Sequence, residues 1–139
     1  RYLSQLANQV MRASSTSGTH VALTLDMAPV LVNLDQAVPC GLLLNELLSN
    51  ALKHGFPDQR AGAIHISLGQ DPGGAGIILV LSDNGVGLPD DWEDRRLASL
   101  GLQLVSDLTR QLQGTMTVER QPGARFSLRF TPHAKEVPA

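Results

Sequence analysis

The sequence predicts an α+β two-layer sandwich: a mixed β-sheet with helices packed on one face. Three observations lead there. Apolar residues recur at helical spacing in three separate segments. Between them lie short alternating or wholly apolar runs joined by Gly- and Pro-containing turns, the pattern of hairpins. The order of elements is helix, strands, helix, hairpin, loop, helix, hairpin, which suits one sheet covered by helices. The chain has 139 residues, 42% of them hydrophobic and only 4% aromatic. That is enough for one domain with its own core, built from Leu, Val, Ile and Ala.

Tyr2, Leu3, Leu6, Val10 and Ala13 share one helical face, and the run Ser14 to Gly18 ends it. Val21, Leu23 and Leu25 alternate as a strand, and Val30 to Leu34 reads as a second short extended piece. Asp35 is the expected N-cap of a long helix running to about His54. Pro39 would then fall in its first turn, where a missing N–H is tolerated, and Gly55 and Pro57 stop it. Ala63 to Leu68 alternates, Asp71 to Gly76 turns, and Ile77 to Leu81 is a continuous apolar run suited to a central strand. Asn84 to Ser99 is polar and weakly periodic, a loop of the length that often covers a site. Leu100 to Leu112 is helical, with Leu104, Val105, Leu108 and Leu112 expected inward. Thr115 to Glu119, a Gln121-Pro122-Gly123 turn and Arg125 to Phe130 make a second hairpin, and the tail from Thr131 reads as disordered. There are no internal repeats.

The formal net charge is −2 and no Lys/Arg cluster stands out, which argues against a nucleic-acid surface. Cys40 is the single cysteine, so no internal disulfide framework is possible and a reducing, cytoplasmic location is expected. No apolar run approaches the ~20 residues that span a bilayer, so no membrane contact is expected of this domain. The chain opens at Arg1, without Met, inside a helical pattern, and reads as a piece of something longer.

Three constellations carry chemistry. On the helix ending at His54, Asn50 lies about 40° from Glu46, Lys53 about 20° to the other side, and His54 about 80° away. Leu44, Leu47, Leu48 and Ala51 occupy the opposite arc. A carboxylate, an amide and two bases on one face can polarise water, offer a neutral oxygen to Mg²⁺ and contact phosphate. An amphipathic helix with a solvated polar face carries the same residues. Asp83-Asn84-Gly85-Val86-Gly87 follows the apolar strand directly. Its glycines permit close approach of backbone to a ligand, and Asp83 could accept from an exocyclic amine such as adenine N6, although a simple turn has the same composition. This is neither a dinucleotide fingerprint nor a Walker A loop. In Ser99-Leu100-Gly101-Leu102-Gln103-Leu104-Val105 a glycine opens a helix whose N-terminus can hold an anion, or serves packing alone.

Taken in order, these segments resemble a known family. Pro39 to Pro57 (PCGLLLNELLSNALKHGFP) is similar to the N box of sensor histidine kinases, in the subfamily allied to the HWE kinases, where the box ends in Lys-His before an aromatic residue and Pro. Ser82 to Pro89 resembles the G1 box and Ser99 to Val105 the G2 box. Gln111 to Gly114 and Gly123 to Phe126 are similar to the end of these domains. The resemblance covers about residues 20 to 131.

The resemblance implies a Bergerat (GHKL) ATP-binding fold with ATP and Mg²⁺ as ligands. Asn50 would hold Mg²⁺, Glu46 would support the attacking group or a metal-bound water, and Lys53 and His54 would face phosphates. Asp83 would bond adenine, with Gly85 and Gly87 shaping that wall. Leu100, Gly101 and Leu102 would open the helix beside the phosphates under a lid spanning 84–99. Residues 1–17 would be the remnant of an upstream helical hairpin and linker, 18–131 the ATP-binding catalytic domain, and 132–139 a disordered tail. The implied reaction is transfer of the γ-phosphoryl group to a histidine, then to an aspartate of a response regulator receiver domain. The implied partners are the parent protein's own phosphoacceptor hairpin and sensor domain, and that receiver. A non-catalytic nucleotide-sensing module, or a GHKL serine kinase or ATPase, is the alternative.

The chain departs from the pattern in places. Ser99 stands where many such kinases have glycine, Ala124 where Thr is usual, and the lid has no separate F box or Trp-x-Glu motif. Trp92, Arg95 and Arg96 are therefore expected to be solvated or partner-facing. None of His20, His54, His65 and His133 sits on a helix outside the domain, so the phosphoacceptor is expected elsewhere.

Overall fold

The computed structural model describes residues 2–15, 21–55, 61–73, 76–92, 100–132 and 137–138. The expected positions His20, Pro57, Arg95, Arg96, Ser99 and His133 lie outside the described residues. The elements are α1 (Tyr2–Ser15), β1 (Val21–Met27), β2 (Leu31–Val32), α2 (Leu34–His54), β3 (Gly62–Gln70), β4 (Ile77–Asp83), α3 (Leu100–Gln111), β5 (Thr115–Glu119), β6 (Arg125–Phe130) and β7 (Val137–Pro138).

Five strands form one sheet in the order β1-β3-β4-β6-β5. β1 and β3 are parallel, while β3–β4, β4–β6 and β5–β6 are antiparallel. The parallel pair requires a crossover, and α2 supplies it. The register shows why one face is covered. Leu25, Ile66, Leu81, Phe126 and Val118 form one row across all five strands, and Met27, Leu68, Leu79, Leu128 and Met116 form the next. The opposite face carries Thr24, His65, Ser82, Arg125 and Glu119 in one row. Alternation at period 2 thus makes a dry face for the helices and a polar face for solvent. The α+β sandwich with a mixed sheet is the architecture the sequence predicts.

The core lies between the apolar rows and α2. Leu43, Leu44 and Leu48 are fully buried there, with Ile64 and Ile66 from β3. Each such side chain contributes about 1.5–3 kcal/mol relative to exposure. α1 docks on α2 through buried Leu3 and Ala7, and Tyr2 lies so close over Gly41 that a Cβ there would sit 2.5 Å from the tyrosine oxygen.

Four local expectations are corrected. The N-cap of α2 is Asn33, not Asp35: Asn33 is extended (φ −70, ψ 151) and its carbonyl accepts from Gln36 at 2.9 Å and Ala37 at 2.8 Å. The cause is β2, which ends at Val32 and leaves a single residue before the helix. Pro39 consequently falls in the second turn, where it removes the bond that would run to the Asp35 carbonyl. Leu104 is 39% exposed, because the buried arc of α3 runs through Val105, Leu108 and Thr109 and leaves Leu104 about 40° beyond Leu108. The tail is not wholly free of structure: Val137–Pro138 pairs antiparallel with Leu31–Val32, and Gln36 Nε2 donates to the Thr131 carbonyl at 2.9 Å.

α3 ends as its sequence suggests, but with glutamine in the left-handed position. Gln113 has φ 54, its N–H bonds the Arg110 carbonyl at 2.9 Å, and the Gly114 N–H bonds the Thr109 carbonyl at 3.0 Å. This double closure satisfies carbonyls the helix would otherwise leave open and turns the chain into β5.

Candidate functional site

α2 ends against the loop that follows β4. Gly55 caps the helix by donating to the Ala51 carbonyl at 2.8 Å, and its own carbonyl accepts the Val86 N–H at 2.9 Å. That bond joins the two constellations singled out by sequence. Gly85 packs so tightly on the Gly55 carbonyl that it has no room for a side chain. Gly87 adopts φ +77, a conformation that favours glycine.

Asp83 organises the loop from the last position of β4. Its Oδ1 accepts from the Gly85 N–H at 2.9 Å and the Ala124 N–H at 3.3 Å, and its own N–H bonds the Ala124 carbonyl at 2.9 Å. Oδ2 takes neither of those bonds and is directed toward Gly55. Asn84, next in the chain, is structural: its N–H and Oδ1 both bond Ala63, at 3.2 Å and 2.7 Å, locking the loop to the start of β3.

Between α2 and this loop lies a cavity of about 610 Å³. Asn50 and His54 line it from the helix, Asp83 and Gly87 from the loop, and Leu102 from α3. Leu47, Ala51 and Phe126 supply apolar surface. The mixture of a mostly apolar lining with a few convergent polar groups suits a flat aromatic ligand with a polar tail.

Glu46 is half-buried one turn before Asn50 and faces α3 rather than the cavity. A Cβ on Gly101 would lie 2.5 Å from its Oε2, so the glycine at the start of α3 is what admits the carboxylate. Lys53 and Leu100 are exposed and do not line the cavity; Leu100 is 82% exposed. Among the described residues no group of three or more His, Cys, Asp or Glu side chains could hold a metal, so a cation here would rest on oxygen donors such as the Asn50 amide together with those of a ligand. No helix among the described residues is long and apolar enough to cross a membrane.

Sequence reasoning missed three contributors. Trp92 is 6% exposed rather than solvated; it lines the cavity and meets Phe126 edge-on, with centroids 5.8 Å apart and planes at 68°. Its Nε1 has no hydrogen-bond partner among the described residues. A lone large aromatic in a polar stretch was the available signal, since such area is seldom left in water. Gln121 and Ala124, on the far side of the β5–β6 turn, also line the cavity. Nothing local marks Gln121, because its partners lie more than thirty residues away in the chain.

Comparison with known proteins agrees with this geometry. The sequence model of the family described as "Histidine kinase-, DNA gyrase B-, and HSP90-like ATPase" matches residues 36–135. The chain is 28% identical over 119 residues to blue-light-activated histidine kinase 2 of Erythrobacter litoralis, spanning 86% of this chain and 34% of that protein. It is 30% identical over 98 residues to the sensor histidine kinase PdtaS of Mycobacterium tuberculosis, spanning 68% of this chain and 19% of that protein. The solved histidine kinase domain of the Erythrobacter litoralis EL346 blue-light activated kinase superposes with a TM-score of 0.83 at 25% identity, covering 94% of this chain and 59% of that one. The mycobacterial sensor histidine kinase MprB shares the fold, with a TM-score of 0.71 at 20% identity over 94% of this chain and 95% of that one. The chain thus spans 34% and 19% of the length of the two curated relatives.

Proposed function

The chain belongs to the histidine kinase-, DNA gyrase B-, and HSP90-like ATPase family, and on that premise we propose that it is the ATP-binding catalytic domain of a two-component sensor histidine kinase. The observation that carries the reading is the single cavity wall made by two segments, with Asn50 and His54 on α2 and Asp83 and Gly87 on the loop tied to it through the Gly55 carbonyl. In this reading ATP enters with its base against Asp83 and its phosphates toward Asn50, His54 and the start of α3 at Gly101 and Leu102.

The Asp83 carboxylate suits an exocyclic amine, because Oδ1 is held by two backbone N–H groups while Oδ2 faces Gly55. Asn50 offers one neutral oxygen at the cavity wall, which suits Mg²⁺, an ion that keeps several waters and rests on phosphate oxygens. Mg²⁺, when bound with the triphosphate, screens its charge. Glu46 supports the attacking group from beside Gly101. Lys53 meets the phosphates only from the open side, since it lies outside the cavity lining. The γ-phosphorus exchanges its bond to the β,γ-bridging oxygen for one to a histidine nitrogen on a hairpin elsewhere in the parent protein, and ADP leaves. A response regulator aspartate accepts the group next. Catalysis is mainly positioning and charge neutralisation. Because ATP is an intracellular substrate, the domain acts on the cytoplasmic side.

Titration of the wild-type chain with ATP and Mg²⁺, beside Asp83→Ala and Asn50→Ala, tests this. Asp83→Ala should abolish measurable nucleotide binding, and Asn50→Ala should remove the Mg²⁺-dependent part. Retention of full, Mg²⁺-dependent affinity by both variants would sink the reading.

A further inference from the structure

We infer that Gln121 is a positioning residue for the nucleotide: its side-chain amide holds the glycine loop in the shape that makes the cavity wall. This rests on the reading of the cavity as an ATP site and adds to it a residue that lies outside the segments 39–57, 82–89 and 99–105.

The geometry is specific. Gln121 Nε2 donates to the Leu88 carbonyl at 3.2 Å and lies 3.5 Å from the Val86 carbonyl, on either side of Gly87. Gly87 has φ +77, and the place its Cβ would take lies 2.6 Å from that same Nε2 and 2.5 Å from the Arg120 carbonyl. The Arg120 carbonyl accepts the Leu88 N–H at 2.9 Å. Arg120 also reaches the Pro89 carbonyl and Asp90 Oδ1, both at 3.3 Å. The loop from Val86 to Asp90 is thereby held along its length by two consecutive residues of the β5–β6 turn. Among the described residues, Gln121 supplies the side-chain donor to the carbonyls flanking Gly87, and it lines the cavity as well.

Three chemical consequences follow. A side chain at 121 without a donor leaves the Leu88 carbonyl without this bond, and the left-handed turn at Gly87 loses its support on one side. A carboxylate at 121 faces two carbonyl oxygens and repels them. A lysine at 121 keeps N–H donors within reach of both. The effect should appear in binding of the base, which the loop walls, and not in overall stability, because Gln121 is exposed and buries no core surface.

The test uses the whole chain and three variants: Gln121→Met (similar length, no donor), Gln121→Glu (same shape, no donor) and Gln121→Lys (donor retained). Affinities for Mg²⁺-ATP and for tripolyphosphate are measured, with thermal unfolding alongside and Asp83→Ala as control. Gln121→Met and Gln121→Glu should weaken ATP about tenfold, leave tripolyphosphate and the unfolding temperature near wild type, and Gln121→Lys should restore most of the ATP affinity. The inference is overturned if the Met and Glu variants bind ATP like wild type, if tripolyphosphate weakens equally, or if Lys is as weak as Met. In all those cases the ATP reading survives so long as wild type binds and Asp83→Ala does not. Failure of the wild-type chain to bind ATP overturns both.

Discussion

The Val86 amide donates to the Gly55 carbonyl at 2.9 Å, so the loop after β4 is fastened to the last turn of α2. In the proposed reading the helix would supply the groups for the polar tail of ATP, and the loop the wall for its base. One backbone bond fixes the separation between them, and Gly85 keeps that approach open by having no side chain.

Gly85→Ala should therefore be far more harmful than a loop glycine substitution usually is. The added methyl meets the Gly55 backbone, which cannot swing aside as a side chain would. Overpacking of this kind costs about 1–3 kcal/mol. Urea unfolding should show the loss, and nucleotide binding should fall with it. A stable variant with intact affinity would mean that the loop has another arrangement.

Gly101→Ala should separate binding from chemistry. The obstacle there is the far end of the Glu46 side chain, which is flexible, so stability should change little. Glu46 would be displaced from the start of α3. In the full-length parent, phosphoryl transfer should fall about tenfold to a hundredfold, a larger loss than that in ATP affinity, which the start of α3 also serves. Equal loss of both would remove the assignment of Glu46 to the transfer step.

Trp92 offers a contrast between two substitutions. Trp92→Ala should destabilise by about 3–5 kcal/mol, as expected for a buried ring, where a solvated one would give almost nothing. Trp92→Phe should cost much less, because Nε1 has no partner to lose among the described residues. As the only tryptophan, Trp92 also reports on its own cavity: its emission should change saturably on adding ATP.

Cys40 is buried in α2, and burial pushes its thiol up to about 12. The native chain should resist a thiol reagent at pH 8 and react fully once unfolded. The sign of the pH effect follows from the raised value. Above about pH 9 the unfolded chain loses the proton while the folded chain keeps it, so stability falls as pH rises toward 12, by up to about 1.4 kcal/mol per unit. Cys40→Ala should flatten that part of the stability profile, measured by denaturant unfolding between pH 8 and 11.

Much of this was legible in the sequence, for reasons that can be assigned. Strand alternation from Ala63 to Leu68 is a local signal, and the structure keeps it. Asn50, His54, Asp83 and Gly87 were found because each carries a distinctive group or sits beside a glycine, and they do meet at one cavity. Lys53 shares a helix face with Asn50 yet turns out exposed, since helical angle does not say how far a neighbouring loop extends. The start of α2 was misplaced by two residues because Asn33 and Asp35 are both good caps, and only pairing of β2 decides between them. Gln121 was illegible for a different reason: its role depends on partners more than thirty residues away, and no local pattern encodes that proximity.

The pins on the loop from Asp83 to Asp90 set a limit on how it can be transplanted. It is held by Gly55, Ala63, Arg120, Gln121 and Ala124, which come from three separate stretches of chain. A chimaera that exchanges the loop alone with a relative would carry the glycines and leave behind the residues that give them their shape. The transferable unit is discontinuous: loop, helix end, first residues of β3, and the β5–β6 turn move together or the graft arrives without its wall.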